Sequence, residues 1–339
     1  MRFLFLLLTL LSAYAYAQDS TALVQHQTIM FWNVENAFWP EDDPLTADDD
    51  FTPNGIKRWT KGRLKQKLTQ LEKGLLGAGG GQAPMVVGLA EIEGDSVLNY
   101  WTHKTPLYKL NYRYVLSDRS DRRGIRTALL YQPSEFRLIA SHSYSIDLPE
   151  AEHTTRQILH ASGRLVSADT LDLIICHLPS QYSGARQTQE SRDVAQQTLM
   201  AIADSIAQTR ETPHIIIMGD MNQEPNRKHA WWDASHSGTW VNLMLPLQQS
   251  LTKHPSQHGT HKYQGEWSFL DQFIVNSNFT AADSSSLRIG NARSFSLPFM
   301  LTDDVTHLGK RPKRSFYGSQ YEGGTSDHLP ILLDLEVRF

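Results

Sequence analysis

Short apolar runs alternate with polar, turn-rich stretches along most of this chain. Ile29–Trp32, Met85–Leu89, Ala128–Tyr131, Leu171–Cys176, Ile215–Met218 and Phe273–Val275 are each too short for a helix. Their unbroken apolar character predicts strands buried on both faces. The last stretch differs. Ile331, Leu333, Leu335 and Val337 alternate with Asp334 and Glu336, which predicts a half-exposed, antiparallel strand. Two helices are predicted between the strands. Leu64, Leu68, Leu71 and Leu75 fall on one helical stripe, as do Ala195, Leu199, Ile202 and Ile206. The glycine run Gly77–Gly81 ends the first helix; it precedes a strand and lacks Lys-Ser/Thr, so it is a breaker and not a phosphate loop. Mixed strands and helices make an α/β sheet protein.

The N-terminus carries its own pattern. Arg2 precedes an apolar run from Phe3 to Leu11, and Ala15-Tyr16-Ala17 offers a small-residue cleavage site. A membrane anchor is the competing reading, but the run falls well short of the ~20 residues a spanning helix needs. The flanks favour a signal peptide over 1–17, export to a periplasmic or extracellular space, and no stable membrane insertion. The remaining 18–339 show no Pro/Ser/Gly-rich linker and no repeat, so they are expected to form a single domain. Net charge is -4, with both signs spread throughout, which neither demands nor forbids a polyanionic substrate. Cys176 is the only cysteine, so neither an internal disulfide nor a thiolate metal cluster is possible. No motif for a partner protein stands out.

Polar residues gather at the ends of the apolar runs. They are Asn33-Val34-Glu35-Asn36, Ala90-Glu91, His177-Leu178-Pro179-Ser180, Gly219-Asp220-Met221-Asn222, Leu270-Asp271-Gln272 and Ser326-Asp327-His328. In open α/β sheets ligands collect beyond the strand ends, where loops converge. Carboxylates, amides and imidazoles so placed suit one divalent-metal site that breaks phosphate esters. In Gly219-Asp220-Met221-Asn222 the glycine is expected to permit a tight strand exit, with Asp220 and Asn222 pointing to one side. Taken alone, that motif is equally an ordinary turn, and Ser326-Asp327-His328 equally a cap.

The six pieces, in this order, resemble the endonuclease/exonuclease/phosphatase superfamily, which includes deoxyribonucleases, abasic-site endonucleases, sphingomyelinases and inositol-polyphosphate 5-phosphatases. The resemblance runs from residue 28 to 335. It implies a four-layer α-β-β-α sandwich of two mixed sheets flanked by helices, with the site at their shared edge. It implies that Glu91, Glu35 and Asp327 hold Mg²⁺ or Mn²⁺, although Ala90 stands where the family usually has Gln. Asp220, with Asn222 beside it, would aim or deprotonate the attacking water. His328, oriented by Asp271, would stabilise the transition state, and His177 matches a second catalytic histidine. Asn33 would hold phosphate or orient the metal glutamate. Oxygen donors select a hard cation independently of the resemblance. One departure is visible: the segment Arg122–Thr127 offers His177 no acidic partner.

The expected function is thus an exported, metal-dependent phosphoesterase cleaving phosphodiester bonds, nuclease-like, with DNA or RNA as the substrate class. A phosphatase or phospholipid phosphodiesterase is the alternative, and a catalytically inactive binding relative a second. Arg156 and Arg192 flank motif-bearing strands and are candidate phosphate contacts, with structural salt bridges equally open. Basic clusters at Lys57–Lys67, Arg119–Arg126 and Lys310–Arg314, with Trp59 and Tyr317, would line a polyanion groove; solvated loops are the commoner reading. His254, His258 and His261 are read as a surface loop in preference to zinc ligands. Glu41–Asp50 lacks calcium-loop spacing, Trp231-Trp232 is read as cap packing, and Asn278-Phe279-Thr280 is a glycosylation sequon.

Overall fold

The computed structural model describes residues 23–148, 155–181, 188–226, 239–251, 253, 258–279 and 286–339. The export pattern, Trp231-Trp232, His254 and Thr280 lie outside them. Strands numbered along the chain form two six-stranded mixed sheets. The first contains β1 (Val24–Ala37), β2 (Val86–Ile92), β3 (Arg113–Leu116), β4 (Arg126–Tyr131), β13 (Leu287–Ser294) and β18 (Ile331–Arg338), in the order β13-β18-β1-β2-β4-β3. The second contains β5 (Arg137–Tyr144), β6 (Ile158–Arg164), β7 (Thr170–His177), β8 (Ile215–Asp220), β9 (Trp240–Asn242) and β12 (Asp271–Asn276), in the order β5-β6-β7-β8-β12-β9. Three hairpins complete the set: β10 (His261–Tyr263) with β11 (Glu266–Ser268), β14 (Leu301–Asp303) with β15 (Lys310–Pro312), and β16 (Phe316–Tyr317) with β17 (Gln320–Tyr321).

The sheets pack face to face. Ile29, Phe31, Val86, Leu129, Ile331, Leu333 and Leu335 of the first meet Leu159, Leu173, Ile175, Ile216, Met218 and Phe273 of the second. Full burial of each such side chain contributes roughly 1.5–3 kcal/mol. Helices cover the outer faces. Helix α1 (Lys61–Ala78) starts at the Thr60 cap, whose hydroxyl accepts from Arg63 N, and ends at Gly79. It lays Leu64, Leu68, Leu71 and Leu75 against the first sheet, beside Val97, Leu98 and Trp101 of α2 (Asp95–Lys104). Helix α3 (Gln189–Gln208) covers the second sheet with Ala195, Leu199, Ile202 and Ile206. A short α4 (Leu245–Leu251) closes the described helices. The result is the α-β-β-α sandwich, and no described helix is long and apolar enough to cross a membrane.

Each sheet has one parallel pair, β1/β2 and β7/β8, flanked by antiparallel neighbours. The carboxyl ends of these four strands carry Asn33–Asn36, Glu91, His177 and Asp220. β18 runs antiparallel to β1, so Asp327 and His328, just before it, arrive at the same edge. Gly219 works differently from its expected role as a turn residue. It lies inside β8 opposite Cys176, and a Cβ there would come within 2.3 Å of the Cys176 carbonyl oxygen and 2.4 Å of its sulfur. The glycine lets two strands approach; the left-handed turn falls at Asn222, φ 50°.

Candidate active site

The sheet edge is irregular where the polar residues sit. The β1/β2 ladder shifts register between Asn33 and Ala37, and the β2/β4 ladder between Ala90 and Ile92. Glu35, Asn36, Glu91 and Asn222 all hold φ between 50° and 65°. Non-glycine residues pay for that conformation, and such positions cluster at functional sites. Bulges of this kind re-aim side chains. Here they turn Glu35 and Glu91 out of the sheet pleat, while Ala90 stays in the inter-sheet core.

The buried core of the site is a chain of carboxylates, amides and imidazoles. Asn33 Nδ2 donates to Asp220 Oδ2 at 3.0 Å, and Asn222 N to Asp220 Oδ1 at 2.9 Å. His328 Nδ1 meets Asp271 Oδ2 at 2.7 Å, while its Nε2 lies 3.8 Å from Asp220 Oδ2. Asp271 and Asp220 face each other across β12 and β8. Burial opposes the His328 charge, but Asp271, Asp220 and Asp327 around it hold its pKa well above the ordinary value. Burial pushes the Asp220 carboxyl up to about 7, His328 pulling it back and Asp271 adding to the rise.

His177 Nε2 stands 3.5 Å from Asp220 Oδ2 and 3.9 Å from Glu91 Oε1. Acids do face it, then, but from β8 and β2, not from Arg122–Thr127. Burial, with Arg156 and Arg123 nearby, takes its pKa well below the usual range. The imidazole is neutral, and its Nδ1 has no partner among the described residues.

Ser326 ties the third cluster down. Its hydroxyl donates to Asn33 O at 2.6 Å and accepts from His328 N at 3.0 Å, while Trp32 Nε1 donates to His328 O at 2.9 Å. Asn33 Oδ1 accepts from Glu35 N at 3.0 Å, and Asn36 N donates to Glu91 Oε2 at 2.9 Å. Asn33 thus orients Asp220 and the Glu35 turn, and Asn36 orients Glu91.

Several participants lie outside the six strand-end clusters. Lys67, buried on α1, donates to Ser315 Oγ at 2.6 Å and Thr325 O at 2.8 Å, and lies 3.9 Å from Glu35 Oε2. Burial lowers its pKa, against the pull of Glu35, Asp327 and Glu91. Burial and Asp327 together raise Glu35 to about 7, although Ser315 N donates to its Oε2 at 2.6 Å. Arg123 Nη2 sits 3.9 Å from Glu91 Oε1, and Arg314 Nη2 3.8 Å from Asp327 Oδ2. His261, placed in a surface loop by the sequence reading, instead bridges to His328, its ring centroid 4.8 Å from the His328 ring. Burial and His328 lower it to about 4.

Two arginines look inward to protein. Arg156 donates to Asp121 Oδ2 at 3.1 Å and to Leu178 O at 2.8 Å, the carbonyl that Asn222 Nδ2 also reaches at 2.9 Å. Arg192 bonds Thr188 Oγ1 and, at 3.2 Å, Gln189 Oε1, both at its own end of α3. Trp59 is fully buried and cannot stack on a ligand; Tyr317 is 54% exposed.

Among the described residues, two compact donor groups could hold a metal, Asp220–Asp271–His328 and His261–Asp327–His328. Glu35 and Glu91 fall outside both, yet with Asp327 they act together on Lys67. The buried Asp271 Oδ1 has no hydrogen-bond partner. An orphaned carboxylate oxygen among this many acids fits a bound cation.

A model of the Endonuclease/Exonuclease/phosphatase family matches residues 28–337. A search of curated proteins found no match. Among solved structures, D. rerio TDP2 complexed with single strand DNA product is 17% identical, with TM-score 0.55, covering 92% of this chain and 99% of that one. An endonuclease/exonuclease/phosphatase family protein from Bacteroides thetaiotaomicron is 12% identical, TM-score 0.54, covering 94% and 97%. The human Nocturnin catalytic domain with bound sulfate is 16% identical, TM-score 0.53, covering 93% and 97%. Identities this low speak to the fold. The match over nearly the whole chain carries the family: this protein belongs to the endonuclease/exonuclease/phosphatase family.

Proposed function

We propose that the chain is an exported, divalent-metal-dependent hydrolase of phosphodiester bonds, nuclease-like in substrate. One observation carries this reading. Asp220, aimed by Asn33 and Asn222, and His328, held by Asp271, face each other across 3.8 Å at the edge where Glu91 and His177 also arrive. Asp220 is placed to take a proton from an attacking water. His328, kept protonated by its three carboxylate neighbours, is placed to donate to the phosphoryl oxygens as charge builds there. His177, its pKa held well below the usual range, stands beside them as a neutral imidazole, and Asn222 and Arg156 both donate to the Leu178 carbonyl. Glu91, Asp327 and Glu35 would be the oxygen donors for a magnesium-type ion, Mg²⁺ or Mn²⁺, which would neutralise phosphate charge and acidify a water.

The nuclease direction draws on the D. rerio TDP2 complex with single strand DNA product and on Tyr317 exposed beside Arg314, their ring and guanidinium 5.9 Å apart. Export draws on Arg2, the Phe3–Leu11 run and Ala15-Tyr16-Ala17.

The test is a substrate panel of plasmid DNA, single-stranded DNA, RNA, sphingomyelin, inositol phosphates and a generic phosphodiester, with Mg²⁺ or Mn²⁺ and with EDTA. Polynucleotides should be cleaved, and EDTA should end turnover. Asp220→Asn and His328→Ala should each lower kcat by about 10²–10⁴ with an unchanged melting curve, as for loss of a general acid or base. Metal-dependent hydrolysis of no phosphate ester at all would make the protein a binding relative. N-terminal sequencing of secreted protein should begin at Gln18.

A further inference from the structure

We propose that His261, Asp327 and His328 form a zinc site whose occupation switches hydrolysis off. The donor atoms of these three residues lie within 4.8 Å of one another. They offer two imidazole nitrogens and one carboxylate oxygen. That set suits a borderline cation such as Zn²⁺, unlike the oxygen-only set of Glu91, Asp327 and Glu35. Three protein ligands leave the fourth tetrahedral position for water.

The surroundings are those of a built site. His328 Nδ1 is committed to Asp271 Oδ2 at 2.7 Å, so Nε2 is the nitrogen presented to a metal. A carboxylate behind a ligating histidine is the usual outer support of bound zinc, fixing the tautomer and the ring direction. His261 is held from the other side. Thr260 Oγ1 accepts from Leu270 N at 3.1 Å and Asp271 N at 3.2 Å, and Leu329 N donates to Thr260 O at 2.7 Å. The backbone around His261 is therefore stitched to the segments that carry Asp271 and His328. Neither ring nitrogen of His261 is spent on a hydrogen bond among the described residues. Arg314 is the competitor for Asp327, at 3.8 Å with both side chains 27% exposed. An ion pair that long and that wet is weakly held.

His328 belongs to both donor groups, and that links binding to turnover. Zinc on Nε2 would occupy the ring nitrogen that faces Asp220 Oδ2 across 3.8 Å and would draw Asp327 out of the oxygen set, so neither side chain could then serve the phosphate. This inhibitory half rests on the hydrolase reading. The binding half does not.

The experiment titrates metal-free full-length protein with ZnCl₂ against a chromophoric zinc chelator in excess MgCl₂, and records the zinc K-edge absorption of the complex. One zinc per chain and two imidazole ligands are expected. His261→Asn should weaken binding at least ten-fold and lose one imidazole, whereas His258→Asn, whose ring stacks on Trp267, should match wild type. Equal zinc affinity in wild type and His261→Asn, or zinc displaced by comparable magnesium, overturns the site. If His261→Asn does not fold, the wild-type spectrum decides, since fewer than two imidazoles also overturns it. Stoichiometric zinc should lower wild-type turnover at least ten-fold; zinc bound with turnover unchanged refutes the switch. Zinc bound by a protein that hydrolyses nothing refutes the hydrolase reading and leaves the site standing.

Discussion

Lys67 shows what a single buried charge does at this sheet edge. Its ammonium satisfies Ser315 and Thr325 and faces Glu35, with Asp327 and Glu91 also acting on it. Removing one partner of a buried pair leaves the other uncompensated, which typically costs 3–5 kcal/mol. Lys67→Met should therefore lower stability by about that much in urea unfolding, because Glu35 and Asp327 are left to repel each other. Adding Glu35→Gln should recover part of the loss, and a double variant no more stable than Lys67→Met would show that the ion pair matters little. The signal was present in the sequence. Lys67 lies three residues from Leu64 and four from Leu71, a cation on an otherwise apolar stripe. His261 stood out only beside His254 and His258; its true neighbour, His328, is distant in sequence, and the β10 bridge unites them.

At the scale of elements, the strands buried on both faces were legible and the polar ones were not. β1, β2, β4, β7, β8 and β12 contain the apolar runs, and β18 its alternation. β6 (ILHASGR) escaped because two of its helix-facing positions, His160 and Ser162, are polar yet buried. His160 Nε2 bonds Asp172 Oδ1 at 2.8 Å, Arg210 Nε bonds Asp172 Oδ2 at 2.8 Å, and Arg210 also reaches Ser162. Such a network replaces the apolar period that sequence patterns rely on. The same logic held at the site. Its acids and histidines stood out as motifs, but which of them touch was set by two register shifts and four left-handed residues that no pattern announces. The network carries a pH prediction. Burial pushes Asp172 up, but hydrogen bonds from His160 and Arg210 prevail and take it down to about 2. A depressed carboxyl stabilises the fold above its unfolded value near 4, and that contribution disappears as pH falls through about 2. Asp172→Asn should lose about 2 kcal/mol at neutral pH and show a flatter urea midpoint between pH 4 and 2. An unchanged acid profile would mean the network is not what fails in acid.

For the whole molecule, net charge says little about the substrate, because the rim of the site differs from the average. Across the chain acids exceed bases by four. At the edge, most cations are already paired. Arg311 is held twice by Glu322, at 2.6 and 3.0 Å, and Lys57 donates to the Gly318 carbonyl. Arg123, 45% exposed, lies 3.4 Å from Asp121 and 3.9 Å from Glu91, and Arg314, 27% exposed, lies 3.8 Å from Asp327, so both are loosely held. About two phosphates can thus gain a cation. A single strand that releases counterions at two sites should lose roughly seven-fold in kcat/KM between 50 and 200 mM salt, from a slope near -0.7 per contact. A one-linkage phosphodiester should barely respond. Tyr317, between Arg311 and Arg314 at 5.0 and 5.9 Å, is the one exposed ring beside these cations among the described residues. If a base stacks there, Tyr317→Ala should raise KM for a polynucleotide about ten-fold and leave the small diester untouched, as for loss of one stacked base. A salt-independent rate with Tyr317→Ala at wild-type KM would exclude a strand lying across this rim. The same edge chemistry would then serve a small phosphate ester, which needs the carboxylates and His328 but neither the arginines nor the ring.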